Sequence, residues 1–399
     1  MSRSMPVFVL AVLAVLALIA PAGTARAGDP APPSTVVWQG EVVVNQSVVF
    51  NASQTLVILP GTTVLVRTVE PSCTNGSAPV ITVTGDLVAR GNDTARIQFR
   101  SVTADGTVCA SGREALLIYS GQAARNQSLS YADFTGGTVL CYQTALAVDH
   151  CSFNGTQVRF SGDRSTVRSS AFLDSPLAVF PTSSTVIENC TIGRTGQDDS
   201  GIYLYDRATV RDCTITNCVS GIEASIWITA TVAGNTISGC MEAINSTGAL
   251  DITGNVLAGN GIGVRSWAGL DRVERNIIGG NDVGIASLGR LPGAMNNTFR
   301  APGGAANRAA DLREMLLASG SCVDGNGQPI KTPVTIKDRS GRTVFSGYPD
   351  FVPLTAYEKY PDGSDTAFTP FTASAVFLGS GNSTVLNGKI GRASCRERV

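Results

Sequence analysis

Histidine is nearly missing from this chain, one in 399 residues, and no two cysteines stand as a Cys-x-x-Cys pair. That removes the usual ligand sets for structural zinc and for copper, so no metal site is expected. Charged residues make up only 15% of the chain and aromatic ones 6%. The basic residues form no stripe, which argues against a nucleic-acid partner. Long apolar runs are scarce as well: the run from Val7 to Ile19 is short for a bilayer span. Glycine, by contrast, is abundant at 43 residues, and β-branched residues recur in short runs. Many short strands joined by tight turns have that composition, and long helices do not. The class expected is all-β.

Both ends are set apart before the fold is read. Residues 1–27 combine Arg3, the apolar run and Ala25-Arg26-Ala27, the pattern of a secretory leader with a small-x-small cleavage site. Residues 28–35 read as a spacer. At the other end, 389–399 break every upstream pattern, and Ile390 to Val399 read codon by codon as a translated sequencing adapter. The natural C-terminus is therefore expected beyond Gly388, where a membrane anchor would also lie. Six of the 30 basic residues and one of the 31 acidic ones belong to these two ends. What remains is mildly acidic.

Between the ends one motif repeats: an aliphatic or aromatic residue, then a small or amide residue three on, then another apolar residue two further. It begins at Leu129-Ala132-Phe134 and passes through Val232-Asn235-Ile237 to Ala294-Asn297-Phe299. Its middle positions step by 19, 19, 20, 23, 22, 20, 21 and 21 residues. A period of that size means a solenoid. Leucine-rich repeats share the period, but their leucine consensus is absent. A second strand motif follows, as "GIYL" at 201, "GIEA" at 221 and "GIAS" at 284, so each coil is expected to hold at least two short strands with alternate residues turned inward.

These residues resemble the repeat "V-x-x-N-x-I…G-I" of the right-handed parallel β-helix, or pectin-lyase-like, superfamily. The resemblance runs over about Val36 to Phe299, and the helix domain is placed at 36–305. Pro60-Gly61, Gly85 and Gly91 are expected at corners of its opening coils. After a linker at 306–320, where Leu312, Met315 and Leu316 would also suit a short helix, residues 321–388 alternate apolar and polar positions around glycine turns. That part resembles a carboxypeptidase-regulatory-like antiparallel β-sandwich, with hairpin turns at Asp324-Gly325-Asn326-Gly327 and Asp338-Arg339-Ser340-Gly341.

The amides Asn235, Asn255, Asn276 and Asn297 are expected to stack at a corner, each bonding the next about 4.8 Å away, rather than to bind a ligand. Asn also tolerates the left-handed backbone that corners need. Glycosylation sequons lie at Asn45, Asn51, Asn75, Asn92, Asn126, Asn154, Asn189, Asn245, Asn296 and Asn382. Cys218 and Cys240 each follow a ladder position by five residues and should stack, which favours a bridge between them. Cys190 and Cys213 stand at the ladder itself, as buried thiols or a bridge. Cys73 and Cys109 occupy two insertions and are candidates to pair.

The resemblance also implies chemistry to look for. Hydrolases of the superfamily carry clustered aspartates with Gly-His-Gly and Arg-x-Lys elements, and those elements are missing. The lyase members need calcium carboxylates and a basic residue acting as Brønsted base, a set that Asp198, Asp199, Asp206, Arg207, Arg211 and Asp212 would imitate. Calcium is the cofactor under that reading alone, and otherwise none is expected. His150 reads as a turn residue. If Ile202, Ile222, Ile244, Val264 and Ile285 point inward, then Tyr203, Glu223, Asn245 and Arg265 form one outward row, with Tyr205 and Trp267 in the row beside it. Such a face suits sugars, although a plain exposed face with a few aromatics is the simpler account. The function expected is that of a secreted, non-catalytic surface or envelope module, adhesin-like, with polysaccharide or cell-surface glycans as partners. The alternative is a secreted polysaccharide lyase or other carbohydrate-active enzyme.

Overall fold

A computed structural model describes residues 34–390, apart from 69–78, 110–113, 120–126, 163, 181–183, 195–198, 227, 269–270, 289–295, 319–321, 324–328, 331–332, 349–351, 370 and 380–381. Among the described residues there is no helix. The chain winds as a parallel β-helix with three sheets, so each coil has three strands. Among the described residues two sheets contain 11 strands and the third contains 14. One coil, for example, runs Thr229–Ala233, Thr236–Ser238 and Glu242–Ser246.

The fold follows from a simple register. Each strand pairs with the strand one period later, so residues at equal positions in the repeat stack along the axis. On the first sheet Ile187, Val210, Val232, Ile252 and Val273 form one inward column. On the second, Phe134, Phe153 and Phe172 stack at 4.9 and 4.8 Å between ring centroids and give way to Ile192, Ile215 and Ile237. The third column is Ile202, Ile222, Ile244, Val264 and Ile285. All the aliphatic members are fully buried, each contributing about 1.5–3 kcal/mol. The "G-I" motif has a steric cause. A Cβ on Gly221 would lie 2.6 Å from Ala243 O, and one on Gly263 would lie 2.5 Å from Gly284 O.

The corner between the first and second sheets corrects one expectation. The left-handed residue is not the ladder amide but the residue before it: Tyr131, His150, Ser169, Asn189, Asp212, Gly234, Gly254, Arg275 and Asn296 all have positive φ. The ladder position itself stays out of that region, which leaves its side chain free to point into the tube.

The expected linker at 306–320 is largely a strand. Ala310–Ala318 extends the third sheet in parallel with Val283–Leu288 and then pairs antiparallel with Val352–Lys359. Leu316, Leu354 and Phe371 share a small core with Val334 and Ile336. The latter two belong to a four-stranded antiparallel sheet, and a two-stranded one lies beside it in sequence. The hairpin at Asp338 forms, with Asp338 Oδ1 accepting from Ser340 N and Arg342 N. The turn expected at 324–327 lies outside the described residues. The last described strand, Asn382–Ile390, runs through Lys389.

Candidate functional site

The outward face of the third sheet carries Tyr142, Phe180, Tyr203, Tyr205 and Trp267. Register puts Tyr203, Glu223, Asn245 and Arg265 in one row. The row beside it begins at Tyr142 and Ser161 and continues in step through Phe180, Tyr205, Ser225, Thr247 and Trp267, each backbone N–H donating to the coil before. Phe180 and Tyr205 stack at 5.1 Å with 12° between planes, Tyr203 lies 6.2 Å from Tyr205, and the Arg159 guanidinium covers Phe180 at 5.9 Å. Three coils on, Arg265 covers Trp267 at 5.1 Å and pairs with Glu242 at 2.5 Å, while Trp267 Nε1 donates to Asn245 Oδ1 at 3.1 Å. Both Tyr142 and Tyr205 are about two-fifths exposed, at 41% and 40%. Flat rings beside hydrogen-bonding groups can hold a pyranose by its apolar face and its hydroxyls.

Polar contacts brace this face. The Tyr203 hydroxyl donates to Asp199 Oδ1, Asp199 lies 3.5 Å from buried Arg194, and Ser200 Oγ donates to Glu223 Oε2 at 2.7 Å. Burial and the bond to Asp199 push the Tyr203 phenol above its usual range. The ring is thus held as a neutral phenol. Sequence reasoning named Tyr203, Tyr205, Glu223, Arg265 and Trp267 for this face, and did not name Phe180 and Arg159, which share it. Phe180 directly follows inward Val179, as Tyr205 follows Leu204 one coil on.

The residues of the lyase alternative are spread around the coil rather than gathered. Asp199 precedes the third-sheet strand Ile202–Leu204, Asp206 and Arg207 sit at the turn after it, and Arg211 and Asp212 close the first-sheet strand Ala208–Arg211. Asp198 lies outside the described residues. Arg211 is bound to Glu188, which also holds Arg168 at 2.5 Å, so three charges alternate along the first sheet. Among the described residues no group of three or more His, Cys, Asp or Glu is placed to hold a metal ion.

The ladder is a structural spine. Asn235, Asn255, Asn276 and Asn297 are linked from Nδ2 to Oδ1 at 2.9, 2.9 and 3.0 Å. A second amide ladder, Asn260, Asn281 and Asn307, runs along the next corner at 3.1 and 3.2 Å. Sequence reasoning missed it, though the five-residue offset noted for Cys240 also marks Asn260 and Asn281. Cysteines continue both ladders. Cys213 Sγ donates to Arg211 O at 3.2 Å and Cys218 Sγ to Thr216 O at 3.3 Å, as Ser170 Oγ does to Arg168 O. Cys190, Cys213, Cys218 and Cys240 are free thiols, against the bridge expected between Cys218 and Cys240. The two do stack on neighbouring coils, with Cys218 N donating to Cys240 Sγ at 3.4 Å, and each sulfur is engaged by a carbonyl of its own coil. Cys109 is disulfide-bonded; Cys73 lies outside the described residues.

His150 is one of the left-handed corner residues, stacked on Tyr131 at 4.7 Å with Nδ1 3.0 Å from Asp149. Of the sequons, Asn45, Asn51, Asn92, Asn154, Asn189 and Asn296 are at exposed positions and Asn245 is half-buried. Asn75 and Asn126 lie outside the described residues, and the side chain of Asn382 is not described.

A family model described as "Right handed beta helix region" matches residues 92–269, which gives the solenoid its hand. No curated protein matches the chain. Among solved structures, similarity is found to a rhamnogalacturonan lyase, at 10% identity and a TM-score of 0.26 over 66% of this chain and 80% of that one. An alginate lyase from Paenibacillus sp. str. FPU-7 is similar at 13% identity and a TM-score of 0.22, over 64% of this chain and 97% of that one.

Proposed function

We propose that this right-handed β-helix is a secreted, non-catalytic module that holds glycans on the outward face of its third sheet. The carrying observation is the single row in which Tyr142, Phe180, Tyr205 and Trp267 stand in register, braced by Tyr203, Arg159 and Asn245. An extended polysaccharide can lie along the tube and meet rings at several coils, which multiplies weak contacts. The leader expected at residues 1–27 and the number of sequons support a place outside the cytoplasm, at a cell surface or envelope. The dispersal of the acidic and basic residues around the coil supports binding without turnover.

The test is a panel of neutral and acidic polysaccharides given to the protein, with and without calcium, and followed both by binding and by ultraviolet absorbance of unsaturated ends. Retained polysaccharide with no absorbance is the expected result. Calcium-dependent absorbance would establish the lyase reading in its place.

A further inference from the structure

We propose that the aromatic row of the third sheet is the seat of a glycan attached to the chain itself, on Asn245. This rests on the glycan-binding reading above and names the sugar's anchor. Asn245 opens an Asn-Ser-Thr sequon, and its register puts it in the outward row between Glu223 and Arg265. Indole N–H only donates, so the atom of Asn245 engaged by Trp267 at 3.1 Å is its oxygen. Nδ2, the atom that carries an N-linked sugar, is left at the other corner of the amide.

The surroundings fit such a sugar. Between Tyr205 and Trp267 the neighbouring row holds only Ser225 and Thr247. Two small side chains thus separate rings three coils apart, about 14 Å at the strand spacing. A few pyranose rings rooted at Asn245 cover that gap, one against Trp267 and the next toward Tyr205. Tethering gives even weak stacking an effective concentration of about millimolar. The row is then filled from within, and soluble glycan must compete for it.

The bond forms before this coil closes, because Ser246 is fully buried and Thr247 Oγ1 already donates to Ala224 O at 2.9 Å. Asn245 Nδ2 attacks the anomeric carbon of a polyisoprenyl-pyrophosphate-linked oligosaccharide supplied by the host. The carbon–oxygen bond to phosphate breaks, the lipid pyrophosphate leaves, and the nitrogen gives up one proton.

The experiment expresses the full chain in a glycosylating host and maps sequon occupancy by mass spectrometry. Binding of a soluble oligosaccharide chosen from the panel is then compared between wild type, Thr247→Val and Asn245→Gln. Occupied Asn245, with affinity raised about tenfold or more in both variants, is expected. An empty Asn245 beside an occupied Asn51 or Asn154 would overturn the proposal. So would an occupied Asn245 whose loss leaves soluble binding unchanged, and that result keeps the glycan-binding reading intact. If Tyr205→Ala and Trp267→Ala change nothing in a Thr247→Val background, the glycan-binding reading falls, and this proposal with it.

Discussion

Asn255 Nδ2 donates to Asn276 Oδ1 and to Val232 O, each at 2.9 Å, while Asn255 Oδ1 accepts from both the backbone N and Nδ2 of Asn235, again at 2.9 Å. One buried side chain thus ties three coils. Asn255→Ala strands two donors of Asn235 and the Val232 carbonyl away from water. With about 1–3 kcal/mol for each unsatisfied group, a loss of roughly 3 kcal/mol or more is expected in denaturant unfolding. Glycan binding by the folded fraction should not change; weakened binding in a stably folded variant would show the ladder to be a ligand site.

Gly221→Ala should be more harmful than its size suggests. The added methyl meets Ala243 O and Ile237 Cγ2, both at 2.6 Å, and both belong to the following coil. Overpacking of this kind costs about 1–3 kcal/mol. Gly259→Ala, at an open corner with φ +71° and nothing within 4 Å of the new methyl, should cost only about 1 kcal/mol through backbone strain. A melting comparison that ranks them the other way would contradict the packing assigned to the "G-I" motif.

Asp271 gives the tube a pH-dependent weak point. Its side chain faces the interior, accepts from Ser246 Oγ at 2.9 Å and Leu250 N at 2.7 Å, and burial raises its pKa in spite of those bonds. A carboxyl whose folded pKa exceeds its unfolded value stabilises most when protonated. Its contribution is therefore present below about pH 3.9, the unfolded value, and is lost as pH rises through the folded one. Asp271→Asn should flatten that part of the stability profile. Equal slopes for variant and wild type between pH 3 and 7 would refute the assignment.

The thiols should be silent in the native state. Burial pushes Cys141 and Cys151 up to about 12, and the partner thiol together with burial raises Cys213 and Cys218, while the same thiol contacts lower Cys190 and Cys240. Alkylation at pH 8 should leave the six cysteines that are free among the described residues unmodified until denaturant is added, because all six are buried away from the reagent. Rapid labelling of Cys190 or Cys213 in folded protein would mean that this corner opens.

On the aromatic face, Tyr205→Ala should weaken polysaccharide binding about tenfold with little change in melting, since the ring is two-fifths exposed and stacks mainly on Phe180. Arg211→Ala should leave binding unchanged, because Arg211 serves the ion ladder with Glu188 on another sheet. Titration of both variants with the same oligosaccharide checks the pair.

Much of this was open to sequence reasoning because a solenoid turns sequence period into axial distance. Residues one repeat apart must stack, so the inward columns, the Asn235–Asn297 ladder and the row from Tyr203 to Arg265 follow from spacing alone. Position around the perimeter does not follow from the period. It depends on where each coil turns, and the turns are set by single backbone conformations such as the positive φ of Gly234 or Gly254, one residue before the amides that carry the pattern. Only the tertiary structure could therefore separate Asp199 from Arg211 and carry the third sheet on through Ala310–Ala318, whereas Phe180 and the second ladder at Asn260 had a signal in the spacing that went unread. The period determines what lies above and below a residue, and the corners decide which face it shares.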